Sequence, residues 1–257
     1  MRENTVKKIW VRGGAVLNGW LSVPSAFSAE VNAHVGWDSL TVDLQHGVQD
    51  YLSLVPILQA ISTTAVTPLV RVPVNEPGII MKCLDAGVYG VICPMVNTRQ
   101  DAEQLVQWCR YPPAGKRSFG PIRASIYGGP EYAQAANATI AVMPMIETEE
   151  AVKNVDAILS VPGIDGLYVG PVDLALSMGL PGALDPTEPA VWNAIDHVLH
   201  AAKAHHVYPG VHCATPENAV KMIRRGFQFV SVMNDTHFMT TAARACVGTI
   251  RQGIGPA

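Results

Sequence analysis

Ala141-Val-Met-Pro-Met-Ile-Glu147 is an apolar run that ends abruptly in a carboxylate. Thr148, Glu149 and Glu150 follow, and an apolar helical pattern then begins. A buried strand that delivers one acid at its C-terminal end, with a helix directly after it, is how an α/β barrel presents a catalytic group or a metal ligand. The pattern returns downstream. Gly166-Leu-Tyr-Val-Gly170 reads as another buried strand, and Pro171-Val-Asp173 closes it with a second acid.

Outward from this pair, short β-type runs alternate with longer helical patterns. Strands are predicted over 15–21, 39–44, 67–71, 90–94, 141–147, 165–169, 207–211 and 228–232. Helices are predicted over 25–33, 51–61, 78–86, 98–110, 130–136, 148–159, 171–178, 189–204, 216–225 and 235–252. Between them, 111–129 reads as an irregular insertion rich in Pro, Gly, Arg and Ser, and a loop of that length is usually functional or disordered. Eight βα units in strict order predict a (β/α)8 TIM barrel, with 1–257 as one domain. An open doubly wound sheet would favour a Gly-rich turn after the first strand, and Ser22-Val-Pro-Ser25 is not one.

The composition agrees with a large α/β core. Apolar residues make up 49% and charged residues 15%, and so thin a charged surface points to area buried between subunits, hence a homo-oligomer. A net charge of −3 gives no reason to expect nucleic acid or an anionic membrane as partner. Met1-Arg-Glu-Asn-Thr-Val-Lys-Lys8 has no apolar leader pattern, and no apolar run reaches the ~18 residues of a membrane span, so a cytoplasmic protein is expected. The five cysteines are dispersed and never spaced CxxC, which predicts reduced, mostly buried thiols.

In a barrel the C-terminal strand ends converge on one face. Those positions hold Trp20, Asp43 to Gly47, Arg71, Pro94, Glu147, Asp173, His212 and Asn234. Taken singly, Glu147 and Asp173 are each explained as acids at a helix start. Taken as a pair on adjacent strands they repel unless a cation lies between them, and two hard oxygen ligands suit Mg²⁺, Mn²⁺ or Co²⁺ better than Zn²⁺. Asp43 and His46 have the spacing of an Asp–His dyad in which the acid fixes the tautomer of a general base; the other reading is a solvated loop histidine. Arg71 leaves an apolar strand and needs an acidic partner, Asp43 or Glu147, while its fork also suits a carboxylate or an enolate oxygen. Lys116, Arg117 and Arg123 lie in the Gly-rich insertion, where they either hold an anionic substrate tail or form a solvated loop. His212 stays undecided.

The motifs Asp43-Leu-Gln-His46-Gly47, Pro68-Leu-Val-Arg71-Val72, Leu84-Asp-Ala-Gly87, Pro94-Met-Val-Asn-Thr98, Lys116-Arg-Ser-Phe-Gly120, Met145-Ile-Glu147-Thr148 and Val169-Gly-Pro-Val-Asp173 occur in order. Together they resemble the HpcH/HpaI aldolases, metal-dependent class II enzymes acting on pyruvate or hydroxypyruvate, and the resemblance runs from about Gly19 to Asn234. It implies a hexamer built as a trimer of dimers, with the last helix exchanged between subunits. It implies a divalent metal on Glu147 and Asp173 and no organic cofactor. It makes His46 the base with Asp43 its partner, acting through a water, and Arg71 the group that binds the 2-oxo acid and stabilises its enolate. Trp20, Pro171, Val172 and Asp173 become further substrate contacts, and Asp85 an acid that reaches a neighbouring subunit's site. The implied reaction joins a 2-oxo acid to an aldehyde, or cleaves the product. Many members carry Gln where this chain has Met145. Oxaloacetate decarboxylation or lysis of a CoA ester are the rival enolate chemistries. A Schiff-base mechanism would need a strand-end lysine, and none is present. A non-catalytic binding barrel would be expected to have lost the acid pair, His46 or Arg71.

Overall fold

A computed structural model describes residues 1–254. Eight strands close into a parallel barrel in sequence order. They are β1 (Val16–Leu21), β2 (Ser39–Asp43), β3 (Thr67–Arg71), β4 (Gly90–Cys93), β5 (Ala141–Ile146), β6 (Gly166–Val169), β7 (Tyr208–Cys213) and β8 (Phe229–Val232). Around them run α1 (Thr5–Val11), α2 (Ala26–Ala33), α3 (Tyr51–Ile61), α4 (Pro77–Ala86), α5 (Arg99–Cys109), α6 (Ile122–Gly128) and α7 (Tyr132–Thr139). The ring is completed by α8 (Glu149–Lys153), α9 (Val155–Leu159), α10 (Pro171–Ser177), α11 (Pro189–Ala204), α12 (Pro216–Arg225) and α13 (Asp235–Ile254).

Most strand positions are apolar because both faces of the sheet are covered. β5 is buried at all six positions. One face packs on the helices, where Val42, Val70, Val91, Val142, Leu167 and Val211 join a large shared core. The other fills the barrel with Val16, Trp20, Leu69, Ile92, Met143, Met145, Tyr168 and Phe229. Several helices start on a capping side chain right after a strand-end loop: Ser25, Thr98, Thr148 and Thr215 each accept a backbone N–H of the first turn. The strand-end face is thereby held between rigid elements.

Three features depart from the sequence reading. α1 is an unpredicted helix that closes the N-terminal mouth of the barrel. Asn4 caps it, and Trp10 stacks on Tyr208 at 4.7 Å while its indole N–H donates to the Gln228 carbonyl at 2.8 Å. The insertion over 111–129 is not wholly irregular, since it contains α6. The helix expected over 148–159 breaks at Asn154, whose side chain donates to the Asn97 carbonyl at 2.8 Å. No helix among the described residues is long and apolar enough to cross a membrane.

Candidate active site

The C-terminal strand ends surround a cleft of about 340 Å³, lined among others by Trp20, Asp43, His46, Arg71, Met145, Tyr168, Asp173 and His212. Asp43 and Arg71 are register partners on β2 and β3, so they leave the sheet side by side. The guanidinium grips the carboxylate with two bonds, Nε to Oδ1 at 2.8 Å and Nη2 to Oδ2 at 2.6 Å. Trp20 Nε1 also donates to Oδ2 at 3.1 Å, and the Arg71 cation lies over the Trp20 ring, 4.9 Å from its centroid. Burial acts to raise the pKa of Asp43, but Arg71, Trp20 and the His46 backbone N–H outweigh it and hold the carboxyl below its usual value. Arg71 Nη1 is left without a protein partner among the described residues.

Asp43 and His46, expected as a dyad, meet here through the His46 backbone. Asp43 Oδ1 accepts the backbone N–H of Gln45 and of His46, at 3.1 and 3.3 Å. Among the described residues no bond joins the imidazole to the carboxylate. The register sets Arg71 directly across from this carboxylate, one of its two expected acidic partners. Asp43 instead folds the loop that carries His46. Gly47 makes this turn possible, because a Cβ there would lie 2.2 Å from the Asp43 carbonyl oxygen.

Glu147 follows β5 directly and is only 2% exposed. Its Oε1 accepts the Met95 N–H at 2.8 Å, and Met95 holds a left-handed backbone (φ 54°) to deliver it. Burial raises its pKa from 4.5 to about 7, against the pull of Met95 and with the added push of the Asp173 charge. Asp173 lies in the first turn of α10, four residues past β6, and is exposed on the cleft. Glu147 stands just behind the wall formed by Gly170: a Cβ on Gly170 would fall 2.7 Å from Glu147 Oε2 and 3.2 Å from Met145 Cε. A divalent cation fits this arrangement. Two carboxylates close enough to sense each other's charge are separated by a glycine rather than a side chain, and Oε2 is left over from the Met95 bond. No group of three or more His, Cys, Asp or Glu gathers among the described residues, so further ligands would be waters or substrate oxygens, as hard cations accept.

Pro171 and Val172 line the cleft as expected. Lys116, Arg117, Arg123 and Asp85 do not line it. Arg117 is buried against Asp85 (2.7 Å) and the Tyr132 hydroxyl (3.1 Å), and Arg123 donates to the Ala86 carbonyl at 2.6 Å. Lys116 faces a separate surface depression with Glu103 and Trp108. Within one chain the insertion therefore offers the cleft no cation for an anionic tail; its arginines are tied to α4. His212, left undecided by its sequence position, lines the cleft with its Nδ1 2.9 Å from the Tyr168 hydroxyl. Tyr168 itself was missed. A lone tyrosine inside the Gly166–Gly170 run was its only signal, and it reads equally well as core.

Comparison with known proteins bears on the family and the fold. A family model described as HpcH/HpaI aldolase/citrate lyase matches residues 18–242. A protein named hydroxypyruvate/pyruvate aldolase from Rhizorhabdus wittichii is 42% identical, over 96% of this chain and 99% of the relative. A 4-hydroxy-2-oxovalerate aldolase from Rhodococcus jostii is 37% identical over 97% and 96% of the two chains. The crystal structure of an HpcH/HpaI aldolase/citrate lyase family protein from Burkholderia cenocepacia superposes with a TM-score of 0.91 at 32% identity, covering 96% of this chain and 99% of that one.

Proposed function

The chain belongs to the HpcH/HpaI aldolase/citrate lyase family, and from that premise we propose that its cleft joins a 2-oxo acid, pyruvate or hydroxypyruvate, to an aldehyde and cleaves the 4-hydroxy-2-oxo acid product. It is an aldolase-type lyase. The observation that carries the substrate reading is the pairing of two mutually repelling carboxylates, Glu147 and Asp173, with a cation, Arg71, that lines the cleft and keeps one nitrogen free among the described residues.

Glu147 and Asp173 would hold a Mg²⁺, Mn²⁺ or Co²⁺ ion, which when bound supplies a Lewis acid for the carboxylate and keto oxygens of the 2-oxo acid. Arg71, fixed by Asp43 and Trp20, donates from Nη1 to the oxygen on which negative charge develops. His46 takes the C3 proton, directly or across one water, and the C3 carbon then adds to the aldehyde carbonyl carbon. The new alkoxide takes a proton to give the 4-hydroxyl, and cleavage runs the same steps backward. Trp20, Met145 and Tyr168 keep bulk water from the floor of the cleft. Met145, where many relatives of this type carry Gln, removes a polar contact there. No organic cofactor is needed for this chemistry.

The active form is a cytoplasmic homo-oligomer, a hexamer arranged as a trimer of dimers, in which 1–257 act as one domain and α13 is exchanged between subunits. Support comes from α13, which buries only Asp235 of its 20 residues and exposes Phe238, Met239, Val247 and Ile250. Beside it, Leu17, Val35, Trp37, Val220 and Ile223 line an apolar groove. Asp85 then serves the neighbouring subunit's site. The test is mass spectrometry of 4-hydroxy-2-oxo acid formed from pyruvate or hydroxypyruvate with a panel of aldehydes, together with the solution mass by light scattering. Absence of product with every pair would refute the aldolase substrates, and a monomer would refute the assembly.

A further inference from the structure

The interior of this barrel carries a polar layer where branched apolar residues usually dominate. Asn18 on β1 is the register partner of Ser39 on β2 and of Ser231 on β8, and Ser231 is the partner of His212 on β7. Direct partners in a parallel pair point to the same face, so these four share one level of the barrel. Asn18, Ser39, Thr41 and Ser231 are all fully buried. Ser39 and Thr41 donate their hydroxyls to Asn18 Oδ1 at 2.8 and 3.0 Å, and Asn18 Nδ2 donates to Ser231 Oγ at 2.9 Å. Ser231 lies close enough to Tyr168 to draw down the pKa of the phenol, although burial keeps it protonated. Tyr168 Oη meets His212 Nδ1 at 2.9 Å.

The direction of this relay follows from counting protons. With Asn18 Oδ1 accepting from Ser39 and Thr41, Asn18 Nδ2 donates to Ser231 Oγ, which leaves the Ser231 proton for its neighbour Tyr168 Oη and the Tyr168 proton for His212 Nδ1. Turning the amide over would make Asn18 the donor to both hydroxyls. The protons of Ser39 and Thr41 would then have no acceptor among the described residues, and each buried orphan is costly. The favoured direction leaves the one proton of the neutral imidazole on Nε2. Burial, followed by the nearby Arg71 charge, lowers His212 to about 4, so the ring is neutral near pH 7. The ring packs edge-on to Trp20, with centroids 5.1 Å apart, and stays only half-buried where it lines the cleft.

We propose that His212 is a specificity-determining residue whose Nε2–H donates to a hydroxyl on C3 of the 2-oxo acid, with Tyr168, Ser231 and Asn18 as positioning residues that hold its tautomer. The proposal rests on the aldolase reading and deepens it. Trp20 Nε1 is committed to Asp43 and the Tyr168 hydroxyl to His212, and Met145 has no donor; His212 Nε2 has no side-chain partner among the described residues, and the Met233 backbone is its polar neighbour. A methyl in place of the hydroxyl leaves that donor unpaired, so hydroxypyruvate is favoured over pyruvate.

The test compares kcat/KM for hydroxypyruvate and pyruvate, with one aldehyde, in the wild type, His212→Phe, His212→Gln and Tyr168→Phe. His212→Phe keeps a flat ring beside Trp20 and should lower the hydroxypyruvate-to-pyruvate ratio about tenfold, mainly through KM. His212→Gln keeps an N–H donor and should retain most of the ratio. Tyr168→Phe frees the tautomer without removing the ring and should give an intermediate loss. An unchanged ratio in His212→Phe, or an equal loss on both substrates, overturns the proposal. If His212→Phe does not fold, an unchanged ratio in Tyr168→Phe does the same. A wild type that turns over neither substrate would instead overturn the aldolase reading.

Discussion

Glu147→Gln should make the metal-free protein more stable while removing its activity. Burial, with the Asp173 charge assisting, raises the Glu147 carboxyl from 4.5 to about 7, which means that its ionised form is disfavoured in the folded state. Because the folded pKa exceeds the unfolded one, the folded state binds the extra proton between these values, and stability falls as pH rises. Glu147 therefore contributes its full share below pH 4.5 and loses it as pH climbs through 7. At about 1.4 kcal/mol per unit the loss comes to about 3 kcal/mol. Gln carries no charge and still offers an oxygen to the Met95 N–H. In EDTA, wild type and Glu147→Gln should unfold alike at pH 5, and at pH 8 the variant should be favoured by about 3 kcal/mol, or roughly 6–12 °C in thermal unfolding. Adding Mg²⁺ or Mn²⁺ at pH 8 should raise the wild type and leave the variant unmoved. A pH-independent gap between the two, or a variant less stable at pH 8 without metal, would refute the reasoning.

Other perturbations test the neighbouring groups. Arg71→Ala leaves the buried Asp43 carboxylate unpaired and should cost about 3–5 kcal/mol in urea unfolding as well as activity. Arg71→Lys loses the two-bond grip and should lower kcat/KM by at least about tenfold despite keeping its charge; near-normal kinetics would mean that the fork is not needed. Gly170→Ala places a methyl 2.7 Å from Glu147 Oε2, so calorimetry should show weaker divalent-cation binding in a protein whose circular dichroism is unchanged. His46→Ala should stop exchange of the pyruvate C3 protons, and exchange at the wild-type rate would remove His46 as the base.

The barrel was legible because most strand positions, on both faces of the sheet, are buried and several helices start on a capping Ser or Thr. All eight strands lie where the apolar runs place them, within two residues at their ends. α1 escaped notice because its signal is a seven-residue segment with only Val6 and Trp10 buried, too short for periodicity to mark. The break at Asn154 depends on Asn97, a residue far away in sequence, so no local pattern shows it. At the site, one-dimensional spacing found Asp43, His46, Arg71 and Glu147 and offered Asp43 as a partner to both His46 and Arg71, but it could not say which side-chain bond forms. Asp43 and His46 are three residues apart, yet the register sets Asp43 beside Arg71, and the two-bond ion pair takes both oxygens. Tyr168 and the Asn18–Ser231 layer were invisible for a related reason. A small polar residue in a strand looks incidental until its partners on β1, β2, β7 and β8 are brought to one level.

The central claim is that Glu147, Asp173, Arg71 and His46 together make C3 of a 2-oxo acid acidic. Proton NMR of pyruvate in D₂O with the wild-type protein tests it without knowledge of the aldehyde. The methyl signal should decay with Mg²⁺ or Mn²⁺ present, persist in EDTA and persist with Glu147→Gln. Decay at an undiminished rate in EDTA, or with Glu147→Gln, would contradict the account.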